Sequence, residues 1–158
     1  MHDAAHRPES APDLLDPLNP DEEALMRSLS RVIYALPRAL DADMTREQRL
    51  PLIEYRAMMN LSEAPGRRMR MSDLAAACEM SLSGMTGVVR RMEGQGFIRR
   101  VRCERDARGS NAVLTDAGLA RLEEAWPTHL ASMRRHFLDH LAGLDLRALS
   151  AALRTAAT

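Results

Sequence analysis

Two short helical segments joined by a tight turn, then a run in which apolar residues alternate with Arg, predict a mainly α-helical protein built around a winged helix-turn-helix. The flanking segments carry apolar stripes of helical period and predict long helices that form an intertwined dimerisation region. A length of 158 residues suits one domain with a single core.

Residues 1–20 hold Pro8, Pro12, Pro17 and Pro20 and few large apolar side chains, which predicts a flexible tail. A helix is expected from Asp21, with Asp21, Glu22 and Glu23 at its positive end. Leu25, Leu29, Val32, Ile33, Leu36 and Leu40 form its apolar stripe, and Pro37 should bend it. A second helix is expected from Pro51 through Ile53, Ala57, Met58 and Leu61, stopped by Pro65 and Gly66. Ser72 is expected to cap a short helix over 73–78, and Ser81 to cap the next. That next helix has Met85, Val88, Val89 and Met92 on its inner face and ends at Gly94 and Gly96. Residues 97–103 and 110–114 read as two strands of a hairpin around a charged turn at 104–109. Thr115 should cap the longest helix, in which Leu119, Leu122, Trp126, Leu130, Met133, Phe137, Leu141 and Leu144 approach a seven-residue repeat and Pro127 introduces a kink. A short amphipathic helix around Leu146, Leu149 and Leu153 closes the chain.

The formal charge is zero, from 22 Arg, no Lys and 22 Asp and Glu. Residues 1–24 carry −6 and residues 67–108 carry +5, so an acidic tail cancels a basic middle, and neutrality does not exclude nucleic acid. No apolar run reaches the length of a membrane helix, and the N-terminus has no apolar signal core, so a cytoplasmic protein without a membrane partner is expected. Two cysteines are too few for a disulfide framework or a four-cysteine zinc site. Five aromatic residues argue against a base-stacking single-strand binder. No phosphate-cradling glycine loop, nucleophile elbow or paired-carboxylate site occurs, so no enzyme activity and no cofactor are expected.

A second helix of this kind can enter the DNA major groove with its N-terminal end leading. Ser81 and Ser83 would then offer hydroxyls to phosphates or base edges, and Thr86 and Arg90 follow on the same face. Arg90 is the candidate for pairing with both guanine acceptors, and Arg91 stands beside it as a further DNA-binding candidate. Gly84 and Gly87 each weaken the helix, which points either to close approach of DNA or to tight packing on a neighbouring helix. At the wing tip Arg102, Arg105 and Arg108 surround Asp106; arginine suits a narrow minor groove, and Asp106 is expected to orient Arg108 or an arginine of the recognition helix.

Five segments resemble the MarR-type (multiple-antibiotic-resistance) transcriptional regulators: EYRAMMNL at 54–61, MRMSDLAAA at 69–77, SLSGMTGVVRRME at 81–93, GFIRRVRCERDARG at 96–109 and LTDAG at 114–118. DARG followed at this spacing by LTDAG is the most specific part. The resemblance implies a homodimer with intertwined N- and C-terminal helices that reads a palindrome in double-stranded DNA, and small anionic, phenolic or other aromatic ligands that release it. The family's functional positions fall on Ser81, Ser83, Thr86, Arg90, Asp106 and Arg108. Glu79 stands in the turn where such motifs often place Gly.

The expected organisation is a tail over 1–20, a dimerisation helix over 21–48, a winged helix-turn-helix DNA-binding domain over 49–115 and C-terminal dimerisation helices over 116–158. The expected function is a repressor relieved by a small ligand; the alternatives are a winged-helix adaptor that binds protein and a metal- or redox-responsive regulator. Eight of the eleven methionines fall between Met44 and Met92, and Tyr55, Arg56, Met59 and Trp126 are the candidates for an adaptable ligand pocket. His129, His136 and His140 share a helix face and are the candidates for a metal. Cys103, among arginines, is the candidate redox thiol, and Cys78 reads as a core residue.

Overall fold

The computed structural model describes residues 17–103 and 106–156, and for residues 103 and 106–108 the backbone alone. Most of the expected tail, Arg105, and the side chains of Cys103, Asp106 and Arg108 therefore lie outside the described residues. The chain divides into a unit up to Tyr34 and a second unit from Ala35.

Helix α1 (Pro20–Gln48) starts one residue before the expected Asp21, because Asn19 caps it. The Asn19 side-chain oxygen accepts the amide hydrogens of Asp21 and Glu22, and the Glu22 carboxylate accepts that of Asn19, a reciprocal capping box. Leu25, Met26, Ile33 and Tyr34 on this helix are exposed, whereas Leu40 and Met44 are buried. Helix α2 (Leu52–Glu63) follows Pro51, and the Asp41 carboxylate of α1 accepts the Leu52 amide hydrogen at 2.8 Å. A 3-10 turn over Pro65–Arg67, with Gly66 at φ 62°, then delivers a strand the sequence reading lacks. This is β1 (Arg68–Arg70).

Helix α3 (Met71–Ala77) is not capped by Ser72, contrary to expectation. Pairing of Arg70 with Asn111 holds Arg70 extended, so helical geometry begins at Met71 and Ser72 falls inside the first turn. The turn after α3 closes as a Schellman motif: the Met80 amide donates to the Ala75 carbonyl and the Glu79 amide to that of Ala76. Glu79 occupies the left-handed position at φ 57°, so the turn has its usual geometry with Glu in the place that favours Gly. Helix α4 (Leu82–Gly94) begins where expected, with the Ser81 hydroxyl accepting the Gly84 amide hydrogen at 3.1 Å. Met85, Val88, Val89 and Met92 are all buried.

Strands β2 (Ile98–Cys103) and β3 (Asp106–Leu114) form the wing, and β1 pairs with the other edge of β3, giving the order β1-β3-β2. The return strand was expected only from Ser110; pairing continues beyond a register shift at Arg102/Cys103, so β3 starts at Asp106. Helix α5 (Asp116–His136) is capped by Thr115, whose hydroxyl oxygen accepts the Gly118 amide hydrogen at 3.0 Å. A Cβ on Gly118 would lie 2.2 Å from the Phe97 carbonyl oxygen, so only glycine lets α5 start this close to the wing.

Helix α5 was expected to run as the longest helix to Leu144, but it ends at His136, and α1 is longer. Phe137 leaves the helical region and Leu138–Leu141 forms a 3-10 turn. Apolar residues three or four apart fit a 3-10 turn as well as an α-helix over so short a distance, so spacing alone does not separate them. Helix α6 (Leu146–Ala156) has no buried residue. Pro37 and Pro127 both lie inside helices.

Asp43 of α1 ties that helix to α5. Its carboxylate is buried and accepts hydrogen bonds from Ser132, His136 and Arg46 at 2.8, 2.8 and 2.6 Å, with Arg135 at 3.4 Å. The Ser132 hydroxyl first, then His136 and Arg46, hold this carboxyl well below the usual carboxylate range against the opposing effect of burial. Arg121 of α5 donates to the backbone carbonyl and the side-chain oxygen of Gln48, closing the end of α1. Asp43→Ala should cost about 1–3 kcal/mol at neutral pH, because it leaves the buried Ser132 hydroxyl without its acceptor and removes the link from α1 to His136. A depressed pKa means that the stabilisation is complete above the unfolded carboxylate value and is lost as pH falls through the native one. Urea unfolding at fixed protein concentration should thus show a gap between wild type and Asp43→Asn that narrows in acid.

Candidate nucleic-acid interface and ligand cavity

The packing of α4 leaves one face outward. Ser81, Ser83 and Arg90 are exposed on it and Thr86 is half-buried. Ser81 is partly spent as the cap, and its hydroxyl lies 3.2 Å from that of Ser83. Thr86 donates its hydroxyl hydrogen to the Leu82 carbonyl at 2.8 Å, which leaves its oxygen lone pairs and methyl group outward. Arg90 makes no ion pair among the described residues.

Arg91 does something different. Its guanidinium Nε donates to the Glu54 carboxylate of α2 at 3.1 Å, and Glu54 is buried. Arg91 therefore neutralises a core carboxylate and anchors α4 to α2. Arg100, which the sequence reading did not single out, binds Glu93 through both its backbone amide and its side chain at 3.0 and 2.7 Å, locking β2 to α4. Arg99 and Arg102 are exposed on β2. A small recess of about 310 Å³ is lined by Arg70, Ser72, Leu82, Thr86, Arg100 and Ser110. It joins Thr86 to residues of α3 and of the sheet that periodicity cannot bring together.

The two glycines of α4 separate. A Cβ on Gly84 would lie 3.0 Å from the Met80 methyl and 3.2 Å from the Ser81 hydroxyl, so a side chain there would have to displace the end of Met80 by a few tenths of an ångström. A Cβ on Gly87 would have nothing within 4 Å, so neither packing nor a left-handed backbone requires glycine there. Gly87 lies on the outward face, four residues after Ser83 and three before Arg90.

A cavity of about 810 Å³ lies among α1, α2 and α5 in the unit from Ala35 onward. Tyr55, Arg56, Met59 and Trp126, the four pocket candidates, all line it. Its walls include Leu36, Leu40, Leu52, Leu122 and Met133, and also Pro37 and His129, which sequence reasoning did not assign to a pocket. Burial pushes the Tyr55 hydroxyl up to about 12. The His129 ring packs on Tyr55 with centroids 4.4 Å apart and on Trp126 at 6.2 Å. Burial lowers the His129 pKa, and its Nδ1 is enclosed without a hydrogen-bond partner.

The three histidines do not converge. His129 is in the cavity wall, His136 is bonded to Asp43, and His140 lies in the 3-10 turn with its ring 3.1 Å from the Arg135 carbonyl. No cluster of three or more His, Cys, Asp or Glu suited to a metal occurs among the described residues. Cys78 is buried, as expected of a core residue, and burial raises its thiol pKa. No helix among the described residues is long and apolar enough to cross a membrane.

A MarR family model matches residues 50–109. The structure is similar to that of AbsC, a MarR family transcriptional regulator from Streptomyces coelicolor, at 40% identity and a TM-score of 0.79, covering 90% of this chain and 96% of that one. It is also similar to Sco3205, a MarR family regulator from the same organism solved in complex with DNA, at 31% identity and a TM-score of 0.80, covering 90% of each chain. Wild-type MarR from E. coli shares the fold at 17% identity and a TM-score of 0.69, over 89% of this chain and 98% of that one. No curated protein matches the sequence.

The different placements of the adjacent arginines have a measurable consequence. Arg91→Ala, which leaves Glu54 buried without its cation, should cost about 2–3 kcal/mol of stability. Arg90→Ala should stay within about 0.5 kcal/mol of wild type in the same denaturation experiment.

Proposed function

Because the chain belongs to the MarR family of transcriptional regulators, we propose that it binds double-stranded DNA as a homodimer, reads a palindromic operator as a repressor, and is released by a small ligand held in the cavity. The observation that carries this reading is the outward face of α4, where Arg90, without an ion pair among the described residues, and the Ser83 hydroxyl lie opposite a buried apolar face. In the major groove, the Arg90 guanidinium would pair with the two guanine acceptors, and Ser81, Ser83 and Thr86 would meet phosphates or base edges. In the wing, Arg105 and Arg108 would enter the minor groove, with Asp106 orienting Arg108 or an arginine of the recognition helix. Arg91 acts in this reading through Glu54, by holding the recognition helix in place.

Two apolar surfaces support the dimer: the exposed Leu25, Met26, Ile33 and Tyr34 of α1, and the groove of Phe137, Leu141, Leu146, Leu149 and Leu153 beside α6. Burial of such faces against a second copy supplies the hydrophobic stabilisation that the single chain forgoes. The cavity supports ligand response, since its volume lies in the range of small-molecule sites. The compartment proposed is the cytoplasm, where the DNA is.

Salt titration of operator binding tests the reading. Affinity should fall steeply, with a slope near −0.9 per phosphate contact, whereas a flat response favours a protein-binding adaptor. Arg108→Ala should cost about 1–3 kcal/mol of DNA affinity. Arg90→Ala should relax base preference more than it weakens non-specific binding, as read by selection of bound sequences; an unchanged sequence preference overturns its readout role. Gly87→Ala should raise helix stability by about 1 kcal/mol. It should at the same time weaken operator binding, because the added methyl would occupy the surface that DNA approaches; a more stable variant with wild-type affinity rejects that close approach.

A further inference from the structure

Helix α4 leads with an apolar residue. Leu82, its first residue, is 53% exposed and stands between the exposed hydroxyl residues Ser81 and Ser83. Among the described residues of the span 49–115 it is the one large apolar side chain left exposed. The exposed apolar side chains of α1 and α6 belong to the surfaces proposed for the dimer, and Trp126 lines the cavity. Leu82 belongs to neither.

A lone exposed leucine on an ordinary surface carries no message. This one is set apart by its place and its neighbour. Thr86 follows one turn later on the same side of α4, and both residues line the recess beside Arg100 and Ser110. The Thr86 hydroxyl spends its hydrogen on the Leu82 carbonyl at 2.8 Å, so Thr86 keeps a methyl group and lone pairs for a partner but no donor. The leading turn of α4 thus carries a leucine side chain and a methyl group beside the polar positions Ser83 and Arg90. The major groove narrows what such a pair can meet. Base edges there present acceptors, amino donors and one methyl group, the C5 methyl of thymine. A leucine pressed on acceptors or amino groups desolvates them and returns no hydrogen bond. Pressed on a thymine methyl, it removes apolar surface from water on both sides.

We propose that Leu82, together with the Thr86 methyl, reads the C5 methyl group of a thymine in each half-site of the operator. Arg90 follows Leu82 by about 12 Å along the helix axis, so the thymine lies at a base pair other than the one that Arg90 reads. This rests on the DNA-binding reading above and deepens it. It makes Leu82 a specificity-determining residue and adds an apolar element of readout to a face otherwise read through hydroxyls and a guanidinium.

Exchange of thymine for deoxyuridine tests it, because the exchange removes the C5 methyl and keeps every hydrogen-bonding group of the base. The full chain first selects bound duplexes from a random library. Each thymine in one half-site of the selected duplex is then replaced in turn by deoxyuridine, and affinity is measured by fluorescence anisotropy. Expected is a thymine whose replacement weakens wild-type binding about fourfold, the effect of one methyl group no longer buried. In Leu82→Ala the same replacement should change affinity by less than about 1.5-fold, while the guanine preference assigned to Arg90 persists. Leu82→Gln, which keeps the length of the side chain and gives it a polar end, should lose the thymine preference in the same way and provides a second reading should Leu82→Ala not fold. A leucine that only supports the fold would lower affinity for the thymine and uracil duplexes alike; an unchanged ratio between them in both variants overturns the proposal. A selected duplex without a methyl-sensitive thymine overturns the proposal alone, whereas selection of no sequence over random DNA overturns it together with the DNA-binding reading.

Discussion

One buried carboxylate holds the arrangement of the helices that line the cavity. Asp43 receives hydrogen bonds from Ser132 and His136 of α5 and from Arg46 of its own helix, so its charge is compensated from both elements. An ionised group enters a low-dielectric interior only when its hydrogen-bonding capacity is met, and this requirement fixes how the second half of α1 faces α5. Arg121 on the Gln48 carbonyl and Asp41 on the Leu52 amide extend the same lattice to the end of α1 and the start of α2. The three helices so joined are the walls of the cavity, and Tyr55 of α2 packs on His129 of α5 within its lining.

The arginines divide into those the fold consumes and those it leaves over. Arg67, Arg91, Arg100 and Arg121 are engaged with Asp116, Glu54, Glu93 and Gln48. Arg90 on α4, next to Arg91 in sequence, has no partner among the described residues. The basic character of residues 67–108 therefore overstates the charge available to DNA. What matters is the small set of guanidinium groups on the outward face, and a count of residues by type cannot separate the two sets.

The turn between α3 and α4 and the entry to α5 show two ways a backbone demand is met. At Glu79 the Schellman bonds are all made and the left-handed backbone is accepted by a residue that disfavours it, a strain that neighbouring packing must offset. At Gly118 the Phe97 carbonyl is so near that a Cβ has no place. The first is a preference that can be overridden; the second is a steric exclusion, which is why the glycine after Thr115 is the informative part of LTDAG.

Much of the architecture was legible in the sequence because its signals are local. Ser81 and Thr115 cap α4 and α5 through bonds to residues three positions on, and the buried face of α4 follows from helical period alone. Tyr55, Arg56, Met59 and Trp126, named as pocket candidates in the sequence, line one cavity in the structure. What the tertiary structure alone decided is non-local. Strand β1 is three residues without a pattern of its own, it exists by pairing with β3, and it displaces the cap of α3 from Ser72 to Arg70. Arg91 could be told from Arg90 only once buried Glu54 was in place beside it. The three histidines, which share one helix face by sequence spacing, meet a cavity, a carboxylate and a 3-10 turn. Local hydrogen bonds and periodicity are written within a few residues. Which charge is neutralised, and which polar atom is left without a partner, depends on elements brought together from distant parts of the chain.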